Sequence, residues 1–324
     1  MMKMWAGQII GSRRLEIVEL PIPEIQQGEM LVQLEVGSIC GSDLPYFLCN
    51  TSHPLLFGSS VPLAPTLSLH ELVGFVVETK TERFRKGDRV LALPATHHGG
   101  LAEYFVSKED RAVHIPAGPA KHLVLSQPLG TVVHACSKLP ELSGQTVVIL
   151  GQGPIGQLFT AMMRHRGVER LIAVDVLGER LKVSKAGGAT HTVCGSAGDV
   201  IEEINTITDG KLADLAVEAI GKPDTLNVAA KLVRRNGTVL GFGVPSKFNY
   251  EFAFHEFFNN EGRLICSVGP TVEDLRAAVE MISNAVIDVA PLVTHTFPFS
   301  RAQEAYTLFA DRADGVIKVA LVAE

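Results

Sequence analysis

A glycine motif in the middle of the chain constrains the fold more than any other feature. It follows an apolar run at 146–150 that is typical of a buried strand, and it opens an apolar helical pattern at 155–166. The motif is G-x-G-x-x-G and reads Gly151-Gln152-Gly153-Pro154-Ile155-Gly156. Gly151 permits a tight turn, Gly153 lets the backbone approach a pyrophosphate, and Gly156 allows close helix–strand packing. The helix N-terminus offers N–H donors to phosphates, so the motif predicts a dinucleotide site.

An acidic residue in the next strand pattern indicates which dinucleotide is bound. Asp175 ends the apolar run 171–175, 19 residues after Gly156, where a carboxylate can bind the ribose 2′-hydroxyl. A 2′-phosphate would meet this carboxylate, so the sequence predicts NAD rather than NADP. Arg180 could lie near the same ribose, so NADP binding remains an alternative. The alternative is a structural glycine turn in which Asp175 caps the following helix.

The hydrophobic pattern changes twice along the chain. Residues 1–126 show short alternating runs between turn residues, which is typical of a small β barrel or sandwich. From 127 to 266 buried strand patterns alternate with helical ones, which indicates a parallel sheet with helices on both faces. Residues 267–324 return to helix, turn and strand. The sequence therefore predicts an α/β fold in which a doubly wound domain is inserted into a β-rich domain.

Composition and charge exclude several classes of function. The chain has 46% hydrophobic and 20% charged residues, which is typical of a globular protein. A net charge of -6 without a dense Lys/Arg cluster argues against nucleic acid as a partner. We see neither a secretory signal nor an apolar run of roughly 18 residues that could span a bilayer, so we expect a cytoplasmic protein without a membrane partner. Its five cysteines are scattered, which favours metal binding or burial over disulfides.

Two short segments of the first region carry residues that can bind a metal. Cys40 lies in a turn after a strand pattern, and the pair His70-Glu71 follows 30 residues later. Thiolate, imidazole and carboxylate all suit zinc, a metal of borderline softness. The spacing is too long for a zinc finger, so the three side chains would have to meet through the tertiary fold. Taken alone, a cysteine and a His-Glu pair could also be unrelated.

Several segments together resemble a known protein family. They occur in the family's order and are Gly37–Asp43, Leu69–Gly74, Lys86–Val90, Gly99–Tyr104, Pro128-Leu129 with His134-Ala135, and Pro291–Pro298. These segments resemble the zinc-containing medium-chain dehydrogenases/reductases of the alcohol dehydrogenase superfamily, and in particular the sorbitol (polyol) and threonine dehydrogenase branch. The resemblance covers nearly the whole chain. It implies a GroES-like catalytic domain at 1–126 and 267–324, with an inserted Rossmann domain at 127–266.

The resemblance also implies roles for particular residues. Cys40 and His70 match zinc ligands, and Glu71 matches a ligand or its close neighbour. Asp43 matches the acid that orients the zinc-bound histidine and so fixes its tautomer. Ser42 matches the hydroxyl that receives the substrate proton. The alternative for Ser42 and Asp43 is turn chemistry, in which each side chain bonds to nearby backbone.

The region that holds a second, structural zinc in many relatives differs in this chain. Only nine residues separate Val90 from Gly100, and none of them is a cysteine. We therefore expect one catalytic zinc and no structural zinc. His97-His98 lies in this short loop, where a solvated turn is favoured over a metal site.

Two further departures concern the surroundings of the expected zinc. Gln127 stands where the polyol branch has a glutamate. Its amide oxygen could contact zinc or hold a water, or the residue simply starts a helix. Because Cys40 and Glu71 would both be ionised, the zinc charge would be neutralised without Gln127. Pro45 occupies the place of a proton-relay histidine, and His53 is either a substitute or a surface histidine.

These residues predict a zinc-dependent oxidoreductase that transfers a hydride between an alcohol and NAD. The alcohol is a small molecule of the secondary-alcohol, polyol or sugar-like class, and the product is a ketone or aldehyde. One rival is a zinc-free enone or quinone reductase of the same superfamily, which the set Cys40, His70 and Glu71 disfavours. The other is a catalytically degenerate relative that only binds the dinucleotide. Gln127 and Pro45, which depart from the family pattern, keep this alternative open.

An aromatic segment late in the chain bears on assembly. Residues 248–254 alternate and would place four aromatic rings on one strand face, namely Phe248, Tyr250, Phe252 and Phe254. Such a face needs cover either from its own core or from a partner subunit. The resemblance implies a homodimer or homotetramer, with a two-fold dimer joined at sheet edges as the basic unit.

Overall fold

The secondary structure follows the predicted succession of β-rich and alternating segments. The computed structural model describes residues 2–96, 99–196 and 198–324. The strands are β1 (Lys3–Gly11), β2 (Arg14–Pro21), β3 (Glu29–Ser38), β4 (Glu71–Thr79), β5 (Arg89–Pro94), β6 (Tyr104–His114), β7 (Thr146–Leu150), β8 (Arg170–Asp175), β9 (His191–Cys194), β10 (Ala213–Glu218), β11 (Val233–Gly241), β12 (Arg263–Cys266), β13 (Val293–Pro298) and β14 (Lys318–Val322).

Helices connect most of these strands in the second half of the chain. They are α1 (Leu44–Phe47), α2 (Ala120–Leu123), α3 (Ser126–Ser137), α4 (Pro154–His165), α5 (Gly178–Ala186), α6 (Val200–Ile207), α7 (Pro223–Leu232), α8 (Phe254–Asn259), α9 (Val272–Ser283) and α10 (Ala302–Asp311). Short 3-10 helices lie at Gly41–Asp43, Pro54–Leu56, Ala290–Leu292 and Phe299–Arg301. Within the described ranges, no helix is both long and apolar enough to cross a membrane.

The chain divides into two compact units. Unit 1 comprises Met1–Gly130, Thr271–Ala285 and Val289–Glu324, and unit 2 comprises Thr131–Pro270 and Val286–Asp288. A segment from the end of the chain therefore returns to the first unit.

Unit 1 is built around a six-stranded sheet in the order β13-β14-β3-β4-β5-β6, in which β6 also pairs with β3. This extra pairing closes the β3–β6 strands on one another, and it agrees with the predicted small barrel. The strands pair antiparallel except for β13 and β14, which are parallel. Long strands with alternating burial pack one face into a core rich in aromatic side chains, including Phe47, Phe84, Phe105, Phe299 and Tyr306.

Unit 2 contains a six-stranded parallel sheet in the order β12-β11-β10-β7-β8-β9. The strand order reverses between β7 and β10, which is the arrangement of a doubly wound fold. Four of the five residues of β7 are buried, as expected for a strand covered on both faces. The predicted α/β class, with a β-rich part and a doubly wound part, is thus confirmed.

The prediction of a strand face at 248–254 is wrong. Residues 248–253 form no strand, and Phe254 begins the short helix α8. The Asn227 side chain accepts from Ala253 N and donates to Glu251 O, so it uses backbone groups that a strand neighbour would need. Of the aromatics, Phe252 packs against the unit 2 core, whereas Phe254 remains 66% exposed. The alternation therefore reflects loop packing rather than a pleated face.

Candidate metal and dinucleotide sites

Pairing between two strands of unit 1 brings the candidate metal ligands together. Ser38 at the end of β3 lies opposite Glu71 at the start of β4. Cys40 follows β3 directly and caps the 3-10 helix Gly41–Asp43. As a result, the ligand atoms of Cys40, His70 and Glu71 all lie within 4.8 Å of one another. A thiol, an imidazole and a carboxylate at this separation match the donor chemistry of a zinc site.

Asp43 connects the two segments that carry these side chains. Its Oδ2 accepts from Cys40 N at 2.8 Å, and its Oδ1 accepts from Leu69 N at 2.9 Å. The same Oδ1 lies 3.7 Å from His70 Nδ1. The carboxylate is completely buried, so these polar contacts replace its hydration. This arrangement fits an acid that orients a metal-binding histidine.

The pKa of the His70 imidazole depends on burial and on its neighbours Asp43 and Cys40. Burial by itself lowers the pKa of the imidazole, because a charged ring is poorly solvated there. Hydrogen bonds and charge interactions with Asp43 and Cys40 outweigh burial and raise the His70 pKa well above its usual value. A metal ion bound by this ring would have to compete with a proton that Asp43 and Cys40 help to hold.

Glu71 has a buried cationic partner that sequence reasoning missed. Its carboxylate is fully buried and contacts Lys318 Nζ at 2.7 Å for Oε1 and 2.6 Å for Oε2. Lys318 is 1% exposed and also donates to Ile39 O at 3.0 Å. Ser38 Oγ also donates to Oε2 of this carboxylate. The charge balance expected from the sequence therefore omitted one positive charge beside the ligand set.

A signal for Lys318 was present in the sequence. It is the single charged residue within the apolar run from Val316 to Val322. A lysine in a buried strand needs a partner, because an unpaired ammonium in the interior is costly. Which partner it meets could not be inferred, since Glu71 lies 247 positions away.

The backbone before the ligand pair is held in an unusual conformation. Thr66, Ser68 and Leu69 have φ angles of 69°, 138° and 65°, in the left-handed half of φ/ψ space that L-residues rarely adopt. Leu69 and Ser68 are completely buried, and both donate to Asp43 Oδ1. The carboxylate thus stabilises a strained turn and at the same time contacts the ring that follows it.

The other residues predicted near the metal are Ser42, Gln127 and His53, and the structure gives the location and burial of each. Ser42 is half-buried in the 3-10 turn between Cys40 and Asp43. Gln127 is the second residue of α3 and is 5% exposed, so it does lie at a helix start, and its contact with zinc stays a prediction. His53 is 8% exposed, which makes the surface alternative wrong.

Three further features of the sequence are His53, Pro45 and the pair His97-His98. Burial lowers the pKa of His53, and its Nδ1 accepts from Leu55 N. Pro45 lies in the first turn of α1, where a missing N–H is tolerated. The pair His97-His98 lies outside the described residues.

The glycine motif in unit 2 adopts the geometry that its sequence requires. Gly151 has a φ of +91°, and a Cβ there would lie 2.6 Å from Ile220 Cγ1. A Cβ on Gly156 would lie 1.8 Å from Gly151 O, so any larger residue would push helix α4 away from the turn. Gly153 is the N-cap of α4, and Pro154 occupies its first turn. The turn therefore presents the helix N-terminus at the end of β7.

Asp175 is fixed at the end of the neighbouring strand β8. Its Oδ2 accepts from Gln152 N at 2.6 Å, and its Oδ1 accepts from Leu177 N at 2.9 Å. Each oxygen retains acceptor capacity for a further hydroxyl. Arg180 Nη1 lies 4.0 Å from Asp175 Oδ2, and a Cβ on Gly153 would lie 3.7 Å from the same nitrogen. The motif, the acid and the guanidinium are therefore neighbours, as the sequence predicted.

Comparison with known proteins agrees with this architecture. A model of the alcohol dehydrogenase GroES-like domain matches residues 26–117, and a model of the zinc-binding dehydrogenases matches 154–284. A sorbitol dehydrogenase of Bacillus subtilis (strain 168) is 27% identical over 93% of this chain and 92% of its own length. An L-threonine 3-dehydrogenase of Bacillus velezensis is 26% identical over 90% of each chain.

A solved structure gives the same result at the level of the fold. The crystal structure of L-idonate 5-dehydrogenase from Escherichia coli is similar with a TM-score of 0.86 and 25% sequence identity. The similarity covers 99% of this chain and 98% of that one. Since the two family models together match well over half of the sequence, the chain belongs to the zinc-type medium-chain alcohol dehydrogenase superfamily and is an oxidoreductase of that family.

Proposed function

We propose that this protein is a zinc-dependent, NAD-linked dehydrogenase that oxidises a secondary alcohol, a polyol or a sugar-like alcohol to the ketone or aldehyde. The observation that carries the proposal is the convergence of Cys40, His70 and Glu71 within 4.8 Å, with Asp43 beside the histidine. Similarity to sorbitol and threonine dehydrogenases supports a small hydroxylated substrate. We infer one catalytic zinc per chain and no structural zinc.

The residues of unit 1 would act on the hydroxyl of the substrate. Zinc would be held by Cys40 and His70, with Glu71 as ligand or neighbour and Gln127 as a further candidate, and would supply Lewis-acid chemistry. Asp43 holds the imidazole of His70 in one orientation through its network of backbone contacts. Ser42, in the same turn as Cys40, is suited to receive the proton that the hydroxyl loses.

The residues of unit 2 would hold the cofactor that takes the hydride. Backbone N–H groups at the start of α4 would bind the pyrophosphate, and Pro154 and Ile155 belong to that first turn. Asp175 would accept from the ribose hydroxyls. The reaction balances as alcohol plus NAD⁺ giving carbonyl, NADH and one proton.

The proposal is tested by metal content and turnover on the same preparation. Purified protein should contain about one zinc per chain. It should also form NADH, followed by its absorbance, with members of a panel of polyols and secondary alcohols. Removal of zinc by a chelator should abolish the activity, and added zinc should restore it. Metal-independent reduction of enones or quinones would identify the zinc-free reductase instead. Cofactor binding without turnover across the panel would identify a degenerate relative.

We expect Asp175→Ala to narrow the preference of the enzyme for NAD over NADP. In the wild type the carboxylate would repel a 2′-phosphate, and juxtaposed like charges can cost several kcal/mol. The ratio of kcat/KM for NAD to that for NADP should fall by at least about tenfold. Arg180→Ala is the matched variant, because it removes the cation and keeps the acid. A wild type that is more efficient with NADP would contradict the assignment, and a loss of NADP activity in Arg180→Ala would then identify the phosphate-binding residue.

We also propose that two copies of the chain associate through the edge of the unit 2 sheet. Strand β12 is the last strand of that sheet, and the neighbouring helix α8 exposes Phe254 (66%) and Phe258 (67%). Leu264 on β12 is 45% exposed. Among the described residues no strand pairs with the outer edge of β12, and exposed apolar side chains near such an edge favour association over exposure to water.

Size exclusion with light scattering should therefore give a mass near twice 34.9 kDa, or a higher even multiple. Phe258→Asp should shift the protein toward a single chain, because the charge would be desolvated in a two-fold contact. Phe57→Asp is a control, since Phe57 is 68% exposed but belongs to unit 1. A wild type that elutes as one chain at micromolar concentration would exclude the dimer.

A further inference from the structure

Two buried hydroxyl groups in unit 1 lie in line with Asp43. Tyr306 belongs to α10 and is completely buried, and its hydroxyl oxygen lies 2.7 Å from Ser68 Oγ. Ser68 is completely buried as well, and its Oγ donates to Asp43 Oδ1 at 3.0 Å. A chain of three polar groups thus runs from a helix near the C-terminus to the carboxylate beside His70.

The direction of these hydrogen bonds follows from counting protons. A serine hydroxyl has one proton, and here it is donated to an acceptor-only carboxylate. Ser68 can therefore only accept from Tyr306, so the phenol is the donor of that bond. Both donors point toward Asp43, and each bond polarises the next in a low-dielectric interior.

The Asp43 carboxylate, at the end of this series of hydrogen bonds, contacts two parts of the candidate metal site. Asp43 accepts from the backbone of Cys40 and of Leu69, and it lies 3.7 Å from His70 Nδ1. Ser68 itself has a φ of 138°, so its side-chain contacts help to hold a backbone conformation that is intrinsically unfavourable. Loosening Ser68 would disturb both the carboxylate and the turn that leads into His70.

We propose that Tyr306 is a positioning residue for the metal site, whose hydroxyl acts through Ser68 and Asp43 on the imidazole of His70. This inference rests on the proposed function, because it assumes that the site binds a metal ion. The alternative is that Tyr306 is a core residue only. Its ring packs against Phe47 with centroids 5.3 Å apart, and that contact would survive loss of the hydroxyl.

Tyr306→Phe separates the two roles, because it removes one oxygen and keeps the ring. Loss of a hydrogen-bonding partner behind a metal ligand typically weakens metal binding by roughly 10- to 100-fold, and Tyr306 acts one residue further out, so metal affinity should fall by roughly 3- to 10-fold. Affinity is measured by chelator competition with Zn²⁺, and ligand geometry by the visible absorption bands of the Co²⁺-substituted protein. We expect those bands to shift in Tyr306→Phe. Phe299→Leu serves as control, since it trims a buried ring of the same core and should leave the bands unchanged.

A double-mutant cycle tests whether Ser68 transmits the effect. Ser68→Ala should weaken metal binding at least as much as Tyr306→Phe, and adding Tyr306→Phe to Ser68→Ala should change little more. Wild-type affinity and spectrum in Tyr306→Phe, or strictly additive effects of the two changes, would overturn the inference while leaving the proposed function intact. A wild type that binds neither Zn²⁺ nor Co²⁺ would overturn the proposed function, and the inference with it.

Discussion

Cys40→Ser should lose most of the bound zinc and most of the alcohol dehydrogenase activity. A serine hydroxyl is a poor substitute for a thiolate, which is the softest ligand of the set. Lewis-acid stabilisation by a metal contributes several kcal/mol to catalysis, so kcat/KM should fall by roughly a thousandfold or more. Elemental analysis after exhaustive dialysis measures the metal, and NADH formation measures the activity.

The chain contains a matched control for this variant. Cys49 is another half-buried free thiol of unit 1, and it lies outside the cluster of candidate ligands. Burial raises the pKa of its thiol, which favours the uncharged form. Cys49→Ser should therefore keep about one zinc per chain and near wild-type turnover. Full zinc retention in Cys40→Ser would refute the assignment of the ligand.

Lys318→Met should strongly destabilise the metal-free protein. The substitution removes the ammonium partner of a fully buried carboxylate, and breaking a buried ion pair in this way costs about 3–5 kcal/mol. At about 2–4 °C per kcal/mol, the midpoint of thermal unfolding should fall by roughly 10 °C. Zinc should offset part of the loss, because its charge can compensate Glu71 where the ammonium no longer does.

Two further variants make the prediction specific to the ion pair. Lys318→Met combined with Glu71→Gln should recover much of the metal-free stability, because no unpaired charge remains in the core. Lys3→Met removes a cation from a solvent-exposed pair with Glu19 and should leave the midpoint unchanged. Equal losses in the single and double variants would show that the lysine stabilises the protein by its packing and not by its charge.

Local sequence patterns determined the larger part of the fold. The glycine motif, the apolar run before it and Asp175 are all close in sequence, and short-range sterics dictate their geometry. Gly156, for example, is required because a Cβ would meet Gly151 O only five positions earlier. The same holds for the alternation of strands and helices in unit 2, whose periods are set by the backbone itself. The donor types of the metal site were likewise readable from Cys40, His70 and Glu71.

Only the tertiary structure decided what surrounds those donors. Lys318 meets Glu71 across 247 positions and Tyr306 meets Ser68 across 238, and no local period encodes such pairs. The segment 248–254 shows the opposite error. Its alternation predicted a strand, but in the structure the Asn227 side chain bonds to the backbone groups that a neighbouring strand would need. Burial makes each buried polar group require a partner, but the partner's identity depends on how distant strands pack. Sequence therefore determined which chemistry the chain can perform, and packing decided the charge and the orientation with which its residues are held.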